Sequence, residues 1–112
     1  MRTSALLDRV QRESLRYFTD FAHPACGLSR ERCGTPDMMD TVTTGGTGFG
    51  IMAMLAGCER GFLSRANVRL RIARIVGWLE SADRFHGVFP HFLHGGMGKT
   101  IPFSPMDDGG DL

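Results

Sequence analysis

The segment from about Thr47 to Arg60 has no polar face. Phe49, Met52, Ala53, Leu55 and Ala56 cover almost the whole surface of a helix at these positions, and Gly61 follows as a natural terminator. A helix that is apolar all round is stable in water only when other elements wrap it. That requirement limits the chain to folds in which this segment is an inner helix with neighbours on its sides.

The sequence predicts two further helices beside it. In the first, Leu6, Leu7, Val10, Tyr17, Phe18 and Phe21 share a face, while Arg9, Arg12, Glu13 and Arg16 fall elsewhere. Thr3 or Ser4 caps its start, and Pro24 marks a stop just beyond it. The third begins at Ser64 and runs to about Asp83, with Val68, Ile72, Ile75, Val76 and Leu79 as its stripe and Arg65, Arg69, Arg71 and Arg74 outside it. No strand-like alternation competes, so the expected class is all-α. Gly61-Phe62-Leu63 is a short turn that makes the second and third helices antiparallel neighbours. The other connections are long, about 25 residues from Ala22 to Gly46 and close to 30 from Arg84 to the end, and connections of that length carry function. Both are expected at the same end of the helical layer, where they would display a site on one rim.

Composition narrows the function classes. At 112 residues the chain is one modest domain, with 42% apolar and 22% charged residues, which excludes disordered and fibrous classes. Thirteen Lys and Arg against twelve Asp and Glu give +1, without the basic excess of an electrostatic nucleic-acid binder. No run of about 18 apolar residues is present, so no membrane-spanning helix is expected. Asp8 and Arg9 interrupt the N-terminal apolar stretch, so no signal peptide is expected and the chain as written is expected in the cytoplasm. Cys26, Cys33 and Cys58 read as free thiols, and the C-x-x-C spacing of a zinc site is missing.

Three loop segments carry candidate chemistry, each with a structural alternative. Thr43-Thr44-Gly45-Gly46-Thr47-Gly48-Phe49-Gly50 is a glycine-rich turn into a helix, able to present backbone N–H groups to a polar ligand, or else to let helices pack closely at Gly48 and Gly50. It lacks the phosphate-loop lysine, and no strand is expected before it. Asp83-Arg84-Phe85-His86-Gly87-Val88-Phe89-Pro90-His91-Phe92-Leu93 suits a sugar site, where rings stack on the pyranose and imidazoles bond hydroxyls. The same aromatics could instead plug the end of the helical layer. A metal reading of His86, His91 and His94 matches no established zinc spacing, and no metal or cofactor is expected. Asp107, Asp108 and Asp111 bring three carboxylates into five residues, a source of a raised carboxyl pKa or simply of helix capping. Asp107 and Asp111 would share a face on a helical turn.

Together these motifs are recognisable. Thr43-Thr44-Gly45-Gly46-Thr47-Gly48-Phe49-Gly50-Ile51-Met52-Ala53, Glu59-Arg60-Gly61-Phe62, Ala82-Asp83-Arg84-Phe85-His86-Gly87, Pro102-Phe103-Ser104-Pro105 and Asp107-Asp108-Gly109-Gly110-Asp111-Leu112 resemble, in order, the glucoamylase-like domain, a group that includes bacterial endo-β-1,2-glucanases (glycoside hydrolase family 144). Leu7 to Glu13, Tyr17-Phe18 and Phe21-Ala22-His23-Pro24 fit its opening. The resemblance implies an (α/α)6 toroid, with helices one and three outer and helix two inner. Residues 1–112 would be the N-terminal portion of such a catalytic domain, truncated before the fourth helix. It implies hydrolysis of β-1,2-linked glucan with inversion, which needs an acid and a water-activating base roughly 6.5–9.5 Å apart.

By motif, Asp107 and Asp111 are the catalytic candidates, and His86, Phe89, His91, Phe92, Ser104 and Asp108 the substrate-binding ones. Phe92 stands where relatives often carry tryptophan, and relatives are commonly exported. The expected partner is an oligo- or polysaccharide (β-glucan). Two readings follow: a portion of a glucanase that is inactive in isolation, or a non-enzymatic remnant that binds sugar or depends on a partner. A small helical binding module is disfavoured by Phe49, Met52 and Leu55, whose exposure would instead drive self-association.

Overall fold

The computed structural model describes residues 3–34 and 39–102. Three helices carry it: α1 (Thr3–Thr19), α2 (Thr44–Glu59) and α3 (Arg65–Leu79). Three short strands accompany them, β1 (Thr41–Thr43), β2 (Phe92–His94) and β3 (Thr100–Ile101), in an antiparallel sheet of order β1-β2-β3. The all-α class stands, because the strands are two or three residues long and lie wholly within the two long connections. Thr41 pairs with His94 and Thr43 with Phe92, so these connections do meet at one end of the helical layer.

Helix α2 begins earlier than its apolar pattern suggests. Thr43 caps it, with its hydroxyl accepting the Gly46 N–H, and Thr47 Oγ1 donates back to the Thr43 carbonyl at 2.6 Å. The glycine-rich stretch is therefore the first two turns of the helix and not a turn leading into it. At the other end Gly61, at φ 76°, takes the left-handed conformation that closes a helix. Phe62 N–H donates to Gly57 O at 2.8 Å and Gly61 N–H to Cys58 O at 3.0 Å, the paired bonds of a Schellman cap. Ser64 then caps α3 by accepting the Asn67 N–H at 3.0 Å. Helix α3 stops at Leu79, four residues short of the expected end, and residues 80–81 continue as a turn.

Helix α2 packs against both α1 and α3, as an inner helix between two outer ones. Its approach to α1 depends on two glycines. A Cβ at Gly50 would lie 2.8 Å from Phe18 Cδ1, and one at Gly57 would lie 2.6 Å from Leu15 Cδ2. The expected role of glycine in close packing therefore holds for Gly50 but not for Gly48, which has open space beside it. The core comprises Leu15, Met54, Val68 and Ile75 from the helices and Cys26, Leu28, Val42, Ala82 and Leu93 from the connections. Cys26, Leu28, Val42, Pro90 and Leu93 are among the most completely buried side chains, so the layer beneath the rim belongs to the core.

Several residues expected in apolar stripes are instead exposed: Leu6, Leu7 and Val10 on α1, and Val76 on α3. The opposite side of α2 is exposed as well, Phe49 at 68%, Met52 at 64% and Leu55 at 54%. Periodicity identifies which side chains share a face but not which faces meet. Among the described residues, no helix is long and apolar enough to cross a membrane, and Cys26, Cys33 and Cys58 are free thiols.

Candidate functional site

The rim is built where β1 turns into α2 beside β2. Thr44 N–H donates to the His91 carbonyl at 3.3 Å, and Thr44 Oγ1 donates to the Pro90 carbonyl at 3.0 Å. These bonds seat the His91-Phe92 segment on the first turn of α2. The two rings stand edge to face, with centroids 4.5 Å apart at 86°, and both are half-buried. Immediately before them Phe89 is half-buried against the core, with the Arg84 guanidinium 5.8 Å from its ring centroid. Phe89 also closes a small apolar hollow of ≈ 160 Å³ whose walls include Thr44, Thr47, Gly48 and Ile51.

His86 lies apart from that cluster. Phe85 and Val88 exchange backbone hydrogen bonds of 2.8 and 2.9 Å across His86-Gly87, whose φ values of 49° and 86° are both positive. That is a two-residue hairpin turn of the primed kind, in which glycine and a few polar residues are tolerated. His86 is exposed at its tip, with the Phe85 ring edge-on at 4.4 Å. Of the expected sugar contacts, the structure therefore brings His91 and Phe92 together, packs Phe89 against the core just before them and holds His86 on an adjoining hairpin. Ser104, Asp107, Asp108 and Asp111 lie outside the described residues.

Asp83 ties the loops together. Its carboxylate accepts the Thr100 N–H at 2.8 Å, and its own N–H donates to Gly98 O at 2.8 Å. The Thr100 N–H holds the Asp83 carboxyl below the ordinary aspartate value, with Lys99 adding to the effect. Beyond Ile101, which pairs with Phe92, the chain continues toward the acidic cluster.

A second constellation was not legible as such in the sequence. The His23 ring meets the carboxylate of Asp40 at 2.8 Å, and His94 Nε2 lies 3.8 Å from its other oxygen. The His23 contact holds the Asp40 carboxyl below the ordinary value, with His94 contributing. His23 was recognisable only as part of an opening motif, and nothing local marks Asp40, seventeen residues further on, as its partner. Each imidazole is turned toward Asp40, and among the described residues no group of three His, Cys, Asp or Glu is arranged to hold a metal ion.

No protein-family model matches the chain. Individual proteins do. An exo-β-1,2-glucooligosaccharide sophorohydrolase (non-reducing end) of Parabacteroides distasonis is 47% identical over 113 aligned residues, covering 100% of this chain. A solved endo-β-1,2-glucanase of Chitinophaga pinensis, in complex with sophorotriose and glucose, superposes with a TM-score of 0.94 at 44% identity over 99% of this chain. The chain resembles glucoamylase-like β-1,2-glucan hydrolases over its whole length. A Bacteroides caccae structure assigned to the glucoamylases gives a TM-score of 0.91 at 48% identity over 96% of the chain. The three helices are thus an arc of the helical toroid that the resemblance implies. The chain spans 15% of the length of the sophorohydrolase and 28% of the solved glucanase.

Proposed function

We propose that this chain is part of a glycoside hydrolase domain acting on β-1,2-glucan, and that its rim supplies sugar contacts to that domain. The observation that carries the reading is the likeness over 99% of the chain to an endo-β-1,2-glucanase solved with sophorotriose. The rim chemistry agrees with it. His91 and Phe92 offer an imidazole and an aromatic ring at one place, and a sugar-binding site needs a polar edge beside an apolar face. Phe89 lies two residues before them, packed against the core, and His86 stands on the adjoining hairpin.

In this reading Asp107 and Asp111 are catalytic carboxylates on one side of an inverting hydrolysis, with Ser104 and Asp108 beside them in substrate contact. Asp107 is six residues beyond Ile101 in sequence. One cluster of carboxylates cannot place both an acid and a water-activating base across a sugar ring, so the 112 residues alone bind substrate but do not turn it over. The partner is a β-glucan oligo- or polysaccharide. The exposed Phe49, Met52 and Leu55 also make α2 a self-association surface.

Calorimetric titration with sophorotriose, against a β-1,4-linked glucotriose, tests the reading. The expected result is selective binding of the β-1,2 sugar, weakened about tenfold by His91→Ala or Phe92→Ala, the worth of roughly 1.4 kcal/mol of contact. Equal binding of both sugars, or of neither, would overturn it. In a full-length relative with the same loops, the equivalent of Asp111→Asn should lower kcat far more than it changes KM.

A further inference from the structure

The two ends of the β1–β2 pair are fastened differently. At the α2 end, Thr44 holds the carbonyls of Pro90 and His91. At the other end the fastening is made by side chains. His23, 4% exposed, comes from the loop after α1, and its Nδ1 accepts the Ala25 N–H at 3.1 Å. The neutral ring therefore carries its proton on Nε2, which donates to Asp40 Oδ1 at 2.8 Å. His94 on β2 repeats the arrangement. Its Nδ1 accepts the N–H groups of Gly96 and Met97 at 3.1 and 3.2 Å, leaving Nε2–H toward Asp40 Oδ2 at 3.8 Å. Gly95 completes the join by donating its N–H to the Asp40 carbonyl at 2.7 Å. A Cβ at Gly95 would sit 2.5 Å from His23 Cδ2, so the ring and this backbone are in direct contact.

The Asp40 side chain is 61% exposed, yet both of its oxygens face imidazoles from two different elements. An exposed carboxylate with so much of its geometry fixed does more than solvate the surface. We propose that Asp40, held by His23 and His94, is a positioning residue: it sets the alignment of β1 on β2, and thereby the seat of His91 and Phe92 on the first turn of α2. Its link to sugar binding rests on the reading given above, whereas the mechanical claim does not.

Asp40→Asn is the discriminating variant because it preserves shape while replacing one acceptor oxygen with a donor. Both rings have Nδ1 occupied by backbone N–H groups, so one Nε2–H must then face an N–H. Hydrogen exchange on the intact chain reads the outcome at the amides of Gly95 and Thr44, each as a ratio to Ile75 in α3. The expected result is exchange about tenfold faster at both, the loss of a charge-assisted hydrogen bond felt along the pair. Asp20→Asn, an exposed aspartate paired with Arg16 on α1, should leave both ratios unchanged. A rise at Gly95 alone would reduce Asp40 to a local tie. An equal rise at Ile75 would make it a general stabiliser, and no rise would make it inert; each result overturns the proposal. A sophorotriose titration of the same variants separates the two layers. If the unmodified chain binds the sugar, Asp40→Asn should raise its dissociation constant. If the unmodified chain binds nothing, the sugar reading falls and the exchange ratios alone decide the positioning role.

Discussion

Glycine does opposite work at neighbouring positions. At Gly50 the missing side chain makes room for Phe18 and for Ser29 Oγ, so Gly50→Ala should cost roughly 1–3 kcal/mol by overpacking. Gly48 lies two positions before that contact with nothing within 4 Å, so Gly48→Ala should stabilise by about 0.5–1 kcal/mol through the unfolded chain. Urea denaturation midpoints of the two variants, moving in opposite directions, would check the assignment. The carboxylates give a second test at this scale. Asp40 and Asp83 are both held below the ordinary value of 3.8, so their contribution is fully present above that pH and is lost as pH falls through the depressed folded values. Stability should be level down to about that value and decline below it, and Asp83→Asn should flatten part of the decline in an acid titration followed by circular dichroism.

At the scale of elements, local chemistry was legible wherever the signal was short-range. Ser64, Gly61 and the three-residue turn mark the junction of α2 and α3, and the structure places a cap, a left-handed residue and a turn there. Ser64→Ala should cost about 1 kcal/mol, measured by thermal melting, since its hydroxyl is the partner of the Asn67 N–H. The sheet was not legible. A strand of two or three residues has too few positions to alternate, and the β1–β2 pairing joins segments some fifty residues apart. Separation also hides His23–Asp40–His94, because two polar residues seventeen apart in one long connection and a third on β2 carry no shared periodicity. The aromatic run near residue 89 was legible as a potential sugar site, because several rings and imidazoles crowd into one short loop. His86 is set apart from Phe89, His91 and Phe92 by the positive φ values of His86-Gly87, a backbone property that the aromatic run does not reveal.

At the scale of the molecule, the apolar second helix predicts its own surroundings correctly on two sides. Helices α1 and α3 cover part of it, and Phe49, Met52 and Leu55 are left facing outward. A contiguous exposed apolar face of this kind drives association. Light scattering of the chain should therefore detect oligomers that dissociate in a Phe49→Lys/Leu55→Lys double variant, and a monodisperse monomer of the unmodified chain would contradict this. The central claim is that the rim formed by β1, β2 and the start of α2 is the part that meets β-1,2-linked sugar. Amide chemical-shift mapping on titration with sophorotriose tests it most directly. The predicted result is a saturable shift confined to Thr44, Phe89, His91, Phe92 and their neighbours, with the α3 amides of Val68 and Ile75 unmoved. Saturable shifts centred elsewhere, or none at the rim, would contradict it.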